Sequence, residues 1–413
     1  MVEENQYMAL DFERKPRTIY SFRNEYRESS CPTSNFLKGV KWAPDGSCLL
    51  TASEDKMMRI FTFPTEVFDQ RSTSGDKASG EEAVDPFDPI CRIQEGELVY
   101  DYAWYPCMSS QNAQTCCFLS TCRKNPIHLW DACSGNLRAT YRAYDQADEI
   151  TAAISVGFSN DGACICAGYK QVIRVFDTAR PGRDYDEFKT HSKNQLGQQG
   201  LISCLAWSPS DKKLLAAGSY NGSVGMYASD DGELLALLEG HTGGVTQVKF
   251  SVDGNYLYSG ARKDSQLICW DIRHTKMAVY VMERGTSITN QRIQFDIEPC
   301  GRHLVTGGEQ GRLDVFDLTT GEKLSGDVIG EDAVNGVMFH PFAPLMATAS
   351  GERRFVPLDL DKLEDISEGH EQKSSLGFPL GPTDNTLRIW LLSSRWMSYE
   401  PALQEEQQPE VES

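Results

Sequence analysis

Three residue types lying close together in the chain would, on chemistry alone, suggest a hydrolase. His241 in "EGHTGG", Ser259 in "YLYSGARKD" and Asp264 at the end of that stretch supply a base, a nucleophile and an orienting carboxylate, the set that serine-dependent acyl transfer uses. Trp270 in "LICWDIR" follows closely. The remaining equipment is missing from the sequence: there is no GxSxG elbow, no HExxH and no paired-carboxylate motif, and "SGDKASG" is a fragment of a phosphate loop without its strand and helix. The same four side chains can instead satisfy one another as a buried polar network. They are read as structural, and the protein as no enzyme. Between Ser259 and Asp264 stand Arg262 and Lys263, adjacent cations in a chain of 59 acidic and 40 basic residues. What those cations face is the functional question.

Composition narrows the answer. At 413 residues and 40% hydrophobic content the chain is long enough for a sizeable core. A net charge of −19 excludes general coating of nucleic acid, which needs a broadly basic surface, so any such site must be local. The thirteen cysteines, among them Cys31, Cys107, Cys116, Cys117, Cys164 and Cys166, show no paired CxxC spacing, so neither a metal site nor a disulfide framework is indicated. No metal and no cofactor are expected. The start "MVEENQYMALDFERKP" has no apolar run after a basic segment, and no stretch is long and apolar enough for a membrane helix, which reads as a soluble, non-secreted protein with no membrane partner.

The elements that position these residues come from a repeat. An aromatic followed by a turn recurs in "VKWAPDG", "YAWYPC", "VGFSNDG", "LAWSPSD", "VKFSVDG", "IQFDIEPCG" and "VMFHPFA", with Trp42, Trp104, Phe158, Trp207, Phe250, Phe295 and Phe339 as the anchors. A second anchor follows in each unit: "MRIFT", "IHLWD", "IRVFD", "VGMYA", "LICWD", "LDVFD" and "LRIWL". Alternating β-branched and small residues between them, broken by Gly, Asn and Asp, describe short antiparallel strands. A period near 40 to 45 residues ending in Trp-Asp resembles the WD-repeat, four strands per blade. The expected fold is all-β: a seven-bladed WD-repeat β-propeller over residues 35–393 with short disordered tails. Flexible insertions are expected at 64–96 and 352–382. Residues 1–34 are expected to be a mostly disordered flank in which 17–23 supplies a ring-closing strand, and 394–413 an acidic tail. In WD blades the His, Ser, Asp and Trp types at the spacing of His241, Ser259, Asp264 and Trp270 form the polar network that fixes the blade.

Blade topology sorts charge onto two faces, because turns between second and third strands open on the same side as the links between blades. On that side lie Lys56, Arg123, Lys124, Lys170, Arg262, Lys263, Arg312, Arg353 and Arg354, with Tyr169 and Tyr220 among them as stacking surfaces for unpaired bases. The acidic turns with Asp45, Asp161, Asp211 and Asp253 fall on the other face. "SGARKD" holds one residue more than the usual turn, which should bulge and push a cation outward. The expected RNA-binding site is therefore a basic face of Arg262, Lys263, Arg123, Lys124, Arg353, Arg354, Lys170, Tyr169 and Tyr220. The alternatives are that these are ordinary solvated turn residues, or that the ring is a generic WD-repeat protein-interaction scaffold whose basic face binds an acidic peptide without specific RNA recognition.

Longer stretches are more specific than the repeat. "NFLKGVKWAPDGSCLLT", "TARPGRDYD", "LLALLEGHTGGVTQVKFSVDGNYLYSGARKDSQLICWDIR", "TNQRIQFDIEPCGRHLVTGG" and "NGVMFHPFAPLMATASGERRF" resemble the telomerase Cajal body protein family across about residues 35–360. The resemblance implies a non-enzymatic RNA-binding scaffold that recognises the Cajal-body box of small Cajal-body RNA and telomerase RNA. It implies partners in dyskerin-containing H/ACA ribonucleoprotein and telomerase, folding by the ring chaperonin, and location in the nucleus and Cajal body and also the cytoplasm. Carried over by position, Arg262 and Lys263 are its most distinctive cations. Arg180 and Arg183 of "TARPGRD" come next, on a third-to-fourth-strand turn. The family's long N-terminal low-complexity region is represented only by residues 1–34, and the segment after Phe355 departs from the family sequence.

Overall fold

The computed structural model describes residues 6–27, 34–64, 85–192, 197–354 and 383–398. They form seven four-stranded antiparallel sheets and one two-stranded ribbon. Blade 5 shows the unit: Val245–Phe250, Tyr256–Ala261, Gln266–Asp271 and Ala278–Glu283 pair in sequence order. Second strands such as Cys48–Ser53, Cys117–Cys122, Leu214–Ser219 and Leu345–Ser350 are buried at every position, which explains their small and apolar composition on both faces. Fourth strands such as Lys323–Val328 are largely solvated and carry charge.

The ring closes with a strand from the other end of the chain. Arg17–Phe22 pairs with Leu387–Leu391 and completes blade 7 beside Val334–Phe339 and Leu345–Ser350. This covers edges that would otherwise invite association. The flank expected to be mostly disordered carries more order than its polarity suggested. Gln6–Asp11 pairs with Ser393–Ser398 across almost the whole chain, so the expected tail begins inside a strand. Phe12 then packs against His303 and Phe339 of blades 6 and 7. The insertion expected at 64–96 is likewise shortened from one end. Cys91–Gln94 is the fourth strand of blade 1, Asp85 accepts the backbone N–H groups of Arg23, Asn24 and Glu25, and Phe87 packs on Tyr20 and Phe22. Residues 65–84 and most of the 352–382 insertion lie outside the described residues.

Inner strands are sewn together around a central channel by side chains that reach the next blade's backbone. Trp104 donates to the Lys41 carbonyl at 3.0 Å, Asp101 accepts the Val156 N–H at 3.1 Å, and Ser155 donates to the Ile202 carbonyl at 3.0 Å. Ser203 donates to the Val245 carbonyl, Gln247 exchanges two bonds with the Phe295 backbone, Asp296 accepts the Phe339 N–H, and Asn335 donates to the Leu37 carbonyl. Each of the seven junctions thus has a polar tie where an unpaired buried group would be costly.

Candidate functional site

The triad-like residues come together, but in a closed place. His241 Nε2 lies 2.8 Å from Ser259 Oγ and Nδ1 lies 3.1 Å from Asp264, while Trp270 Nε1 donates to the same serine oxygen at 2.9 Å. Trp270 can only donate to Ser259 Oγ, and the Asp264 carboxylate, which can only accept, takes the proton on His241 Nδ1. Burial alone would raise the Asp264 carboxyl. Hydrogen bonds from His241 and from the amides of Gln266 and Thr242 outweigh it and hold the group far below the ordinary carboxylate range. Ser259 is 0% exposed, so no substrate can reach its oxygen. The arrangement fixes the link entering blade 5 to its second and third strands.

Blade 2 solves the same problem differently. Glu95 accepts from Ser120, from Trp130 Nε1 at 3.0 Å, from His128 Nδ1 at 3.0 Å and from the Cys122 thiol at 3.3 Å. Glu95, Cys122 and His128 have the types and closeness of metal ligands. Both Glu95 oxygens are engaged, by His128 Nδ1, the Cys122 thiol, Ser120 and Trp130, and burial pushes the Cys122 thiol up to about 12, so the cluster reads as a hydrogen-bond network of neutral thiol and bonded carboxylate. The twelve described cysteines are all free.

The face expected to be basic is divided by its ion pairs. Arg353 pairs with Glu54, Arg354 with Asp332, Arg312 with Asp314 and Lys56 with Glu97. Arg353 and Arg354 thus share their charge with acidic residues of neighbouring links and turns, and both keep part of the side chain in water. Arg123, Lys124, Lys170 and Lys263 are exposed, and they and Arg262 have no ion pair among the described residues. Tyr169 is a correction. The blade 3 turn is short: Gly168 pairs with Ile173 and the Tyr169 N–H reaches the Val172 carbonyl, so Tyr169 continues the strand. Its ring is 3% exposed beneath the Arg174 guanidinium, closed to any base.

Blade 5 keeps both of its cations. Gly260 pairs with Leu267, enclosing one residue more than the Gly218–Val224 turn of blade 4, and Lys263 takes the extra bend at φ 52°. Arg262 lies over the ring of Tyr220, 4.0 Å from its centroid, with both residues half-buried. Gly243 and Gly244 permit this closeness, since a Cβ on Gly243 would stand 1.9 Å from the Arg262 carbonyl oxygen.

Beside this stack runs a segment whose role sequence reasoning missed. The "SITNQRI" link between blades 5 and 6 crosses the channel mouth as a strap, above a cavity of about 1020 Å³. Arg292 reaches into the channel and donates to the carbonyls of Tyr100 at 2.7 Å, Ser203 at 2.5 Å and Thr246 at 3.2 Å, joining blades 2, 4 and 5. Gln291 bonds Asn335 and the Gly351 carbonyl of blade 7 and accepts the Arg353 N–H. Glu309 accepts the N–H groups of Ile288 and Thr289, and the Lys263 N–H bonds the Thr289 carbonyl. The signal available in sequence was that "TNQRI" does not belong to the repeat. Arg180 and Arg183 lie at the surface: Arg180 pairs with Asp177, while Gly182 bridges to the blade 2 edge at Tyr141 and Arg183 pairs with Asp148 over the Tyr144 ring.

Seven four-stranded blades with this inter-strand network define a WD-repeat β-propeller. The WD domain, G-beta repeat model matches residues 25–62, 187–227 and 232–271. Telomerase Cajal body protein 1 of Mesocricetus auratus is 43% identical over 404 residues, 95% of this chain and 71% of that protein, and its Homo sapiens counterpart is 44% identical over 391 residues, 92% and 67%. The chain belongs to the telomerase Cajal body protein family. It is also 27% identical over 380 residues to guanine nucleotide-binding protein negative regulator 1 of Schizosaccharomyces pombe, covering 91% of that protein.

Proposed function

We propose that this propeller is an RNA-binding scaffold that recognises the Cajal-body box in the loops of small Cajal-body RNA and telomerase RNA. In this reading it carries those particles to the nucleus and its Cajal bodies, in support of telomere maintenance. The observation that carries the reading is the Arg262–Tyr220 stack beside Lys263 on the rim. A planar cation on an aromatic offers a stacking platform for an unpaired base, and an adjacent exposed amine can meet its phosphate. Arg123, Lys124 and Lys170 are secondary phosphate contacts around the rim. Dyskerin-containing H/ACA ribonucleoprotein and telomerase are the proposed assemblies, with the ring chaperonin as folding partner and a cytoplasmic pool during folding.

With few free cations, affinity should depend weakly on salt, with a slope of about two to four phosphates at roughly 0.7 per contact. The test is Arg262→Glu with Lys263→Glu in a titration of a Cajal-body-box hairpin against the same stem lacking the loop. A loss of roughly 1–3 kcal/mol for the hairpin is expected, with an unchanged thermal melt. Wild-type affinity in the folded double variant, or equal wild-type affinity for stem and hairpin, sinks the reading. The name of the Schizosaccharomyces pombe relative favours the second reading, a protein-binding propeller, for which excess single-stranded RNA would not compete.

A further inference from the structure

We propose that Ile288, at the tip of the strap, is an apolar contact for an unpaired base of the bound RNA loop, completing a recognition patch with the Arg262–Tyr220 stack. This rests on the RNA-binding reading above and adds a residue to it. Ile288 is 79% exposed, more than any other large apolar side chain among the described residues. Single exposed apolar residues are common and need no function. This one differs in how it is held.

Its own N–H and that of Thr289 are clamped on the Glu309 carboxylate at 2.8 and 2.6 Å, and Thr286 Oγ1 anchors the strap's start on the Asp264 carbonyl at 2.6 Å. Arg292 pegs the other end in the channel. The backbone is therefore fixed on both sides of a side chain left in water. The strap is also stitched to the cationic turn, because the Lys263 N–H bonds the Thr289 carbonyl at 3.0 Å. Ile288 and Tyr220 border the same cavity. The other apolar residues more than half exposed belong elsewhere: Ile90, Leu235, Met277 and Val328 flank or occupy outer strands, and Val252 and Phe342 sit on first-to-second-strand turns of the opposite face.

The chemistry that fits is a splayed nucleobase. Its face takes stacking from a guanidinium and apolar contact from an aliphatic side chain, while the phosphate beside it meets Lys263. The carboxylate nearest the tip, Glu309, has its oxygen engaged by two N–H groups, which reduces its repulsion of that phosphate. A duplex presents no free base face and would gain nothing from Ile288.

The experiment uses the full chain, a Cajal-body-box hairpin, the same stem without the loop, and Ile288→Ser beside Arg262→Glu. The expected result for Ile288→Ser is a five- to twentyfold loss of hairpin affinity with an unchanged salt slope and unchanged stem binding, because the contact is uncharged. Arg262→Glu should lower affinity and the slope together. A 2-aminopurine scan of the loop should show one position whose fluorescence change on binding is lost in Ile288→Ser, with a wild-type melt showing that the fold is kept. Loop-selective binding by wild type, lost in Arg262→Glu but intact in Ile288→Ser, overturns this inference alone. Wild type that does not prefer the hairpin to the stem overturns the RNA-binding reading and this inference with it.

Discussion

Blades 2 and 5 carry nearly the same second turn and yet end in different chemistry. Ser120-Thr-Cys-Arg-Lys-Asn125 in one aligns with Ser259-Gly-Ala-Arg-Lys-Asp264 in the other, and both lysines sit in the left-handed region, at φ 63° for Lys124 and 52° for Lys263. Each serine accepts an indole N–H from its third strand. The difference lies in what surrounds the pair. In blade 5 a histidine stands between serine and carboxylate, whereas in blade 2 the carboxylate of Glu95 meets serine, indole and histidine directly. Above the turn, Arg262 finds Tyr220 on the neighbouring blade, while the corresponding position next to Arg123 is Glu54, held by Lys38 and Arg353. A triad-like set of types is thus one of several ways to close a blade, and the rim's recognition chemistry is set by the neighbour's turn.

The largest effect should separate the two networks. Glu95→Ala removes the acceptor of four donors at once and should cost about 3 kcal/mol, as loss of a buried hydrogen-bonded charge does. Asp264→Ala leaves the Ser259–Trp270 and Ser259–His241 bonds standing and should cost about 2 kcal/mol. Denaturant unfolding of both variants checks the ranking. A greater loss in blade 5 would mean that its histidine relay, and not the direct carboxylate, is the stronger device.

Acidity sharpens the same contrast with a smaller effect. Burial works to raise the Glu95 carboxyl, but hydrogen bonds from His128 and Ser120 bring it net below the usual 4.5. A depressed carboxyl gives stability that is complete above its unfolded value and lost as pH falls through the folded one. Wild type should therefore lose stability on acidification below about pH 4.5, and Glu95→Gln, though less stable at neutral pH, should lose less over that window. Asp264 is depressed further, so its contribution should persist to lower pH than that of Glu95. Thermal melts from pH 6 to 3 on both backgrounds give the answer, and parallel curves for Glu95→Gln and wild type would remove Glu95 from the acid response.

The blades themselves were legible because their aromatic and Trp-Asp anchors repeat, and His241, Ser259, Asp264 and Trp270 were legible because their spacing follows the repeat. Glu95 was not, because its role depends on which residues fold over it and no spacing rule pairs it with Ser120 and His128. The ion pairs of Arg353 and Arg354 were not legible, because a turn's charges can be read in sequence while partners such as Glu54, some 300 residues away, cannot. Tyr169 was misplaced by the length of one turn, which decided whether the ring faced water or core. The strap carried its information in being foreign to the repeat, but nothing local says that Arg292 bonds carbonyls of three other blades. Pairing of Gln6–Asp11 with Ser393–Ser398 is the extreme case of the same limit.

The smallest effect tests the rim half of the comparison. Lys124 and Lys263 both occupy a backbone region in which an L-residue is strained by roughly 1 kcal/mol, and glycine enters it freely while gaining entropy in the unfolded chain. Lys124→Gly and Lys263→Gly should therefore change stability by no more than about 1 kcal/mol, and similarly in the two blades. Their effect on RNA should differ. Lys263 stands beside the Arg262–Tyr220 stack and the strap, so its loss should weaken a Cajal-body-box hairpin severalfold, whereas beside the Lys124 turn Glu54 stands where blade 4 has Tyr220, and Lys124 should matter less. Anisotropy titrations of the two glycine variants read this directly. Equal losses would mean that the rim binds phosphate evenly around the ring and that the aromatic on blade 4 does not locate the site.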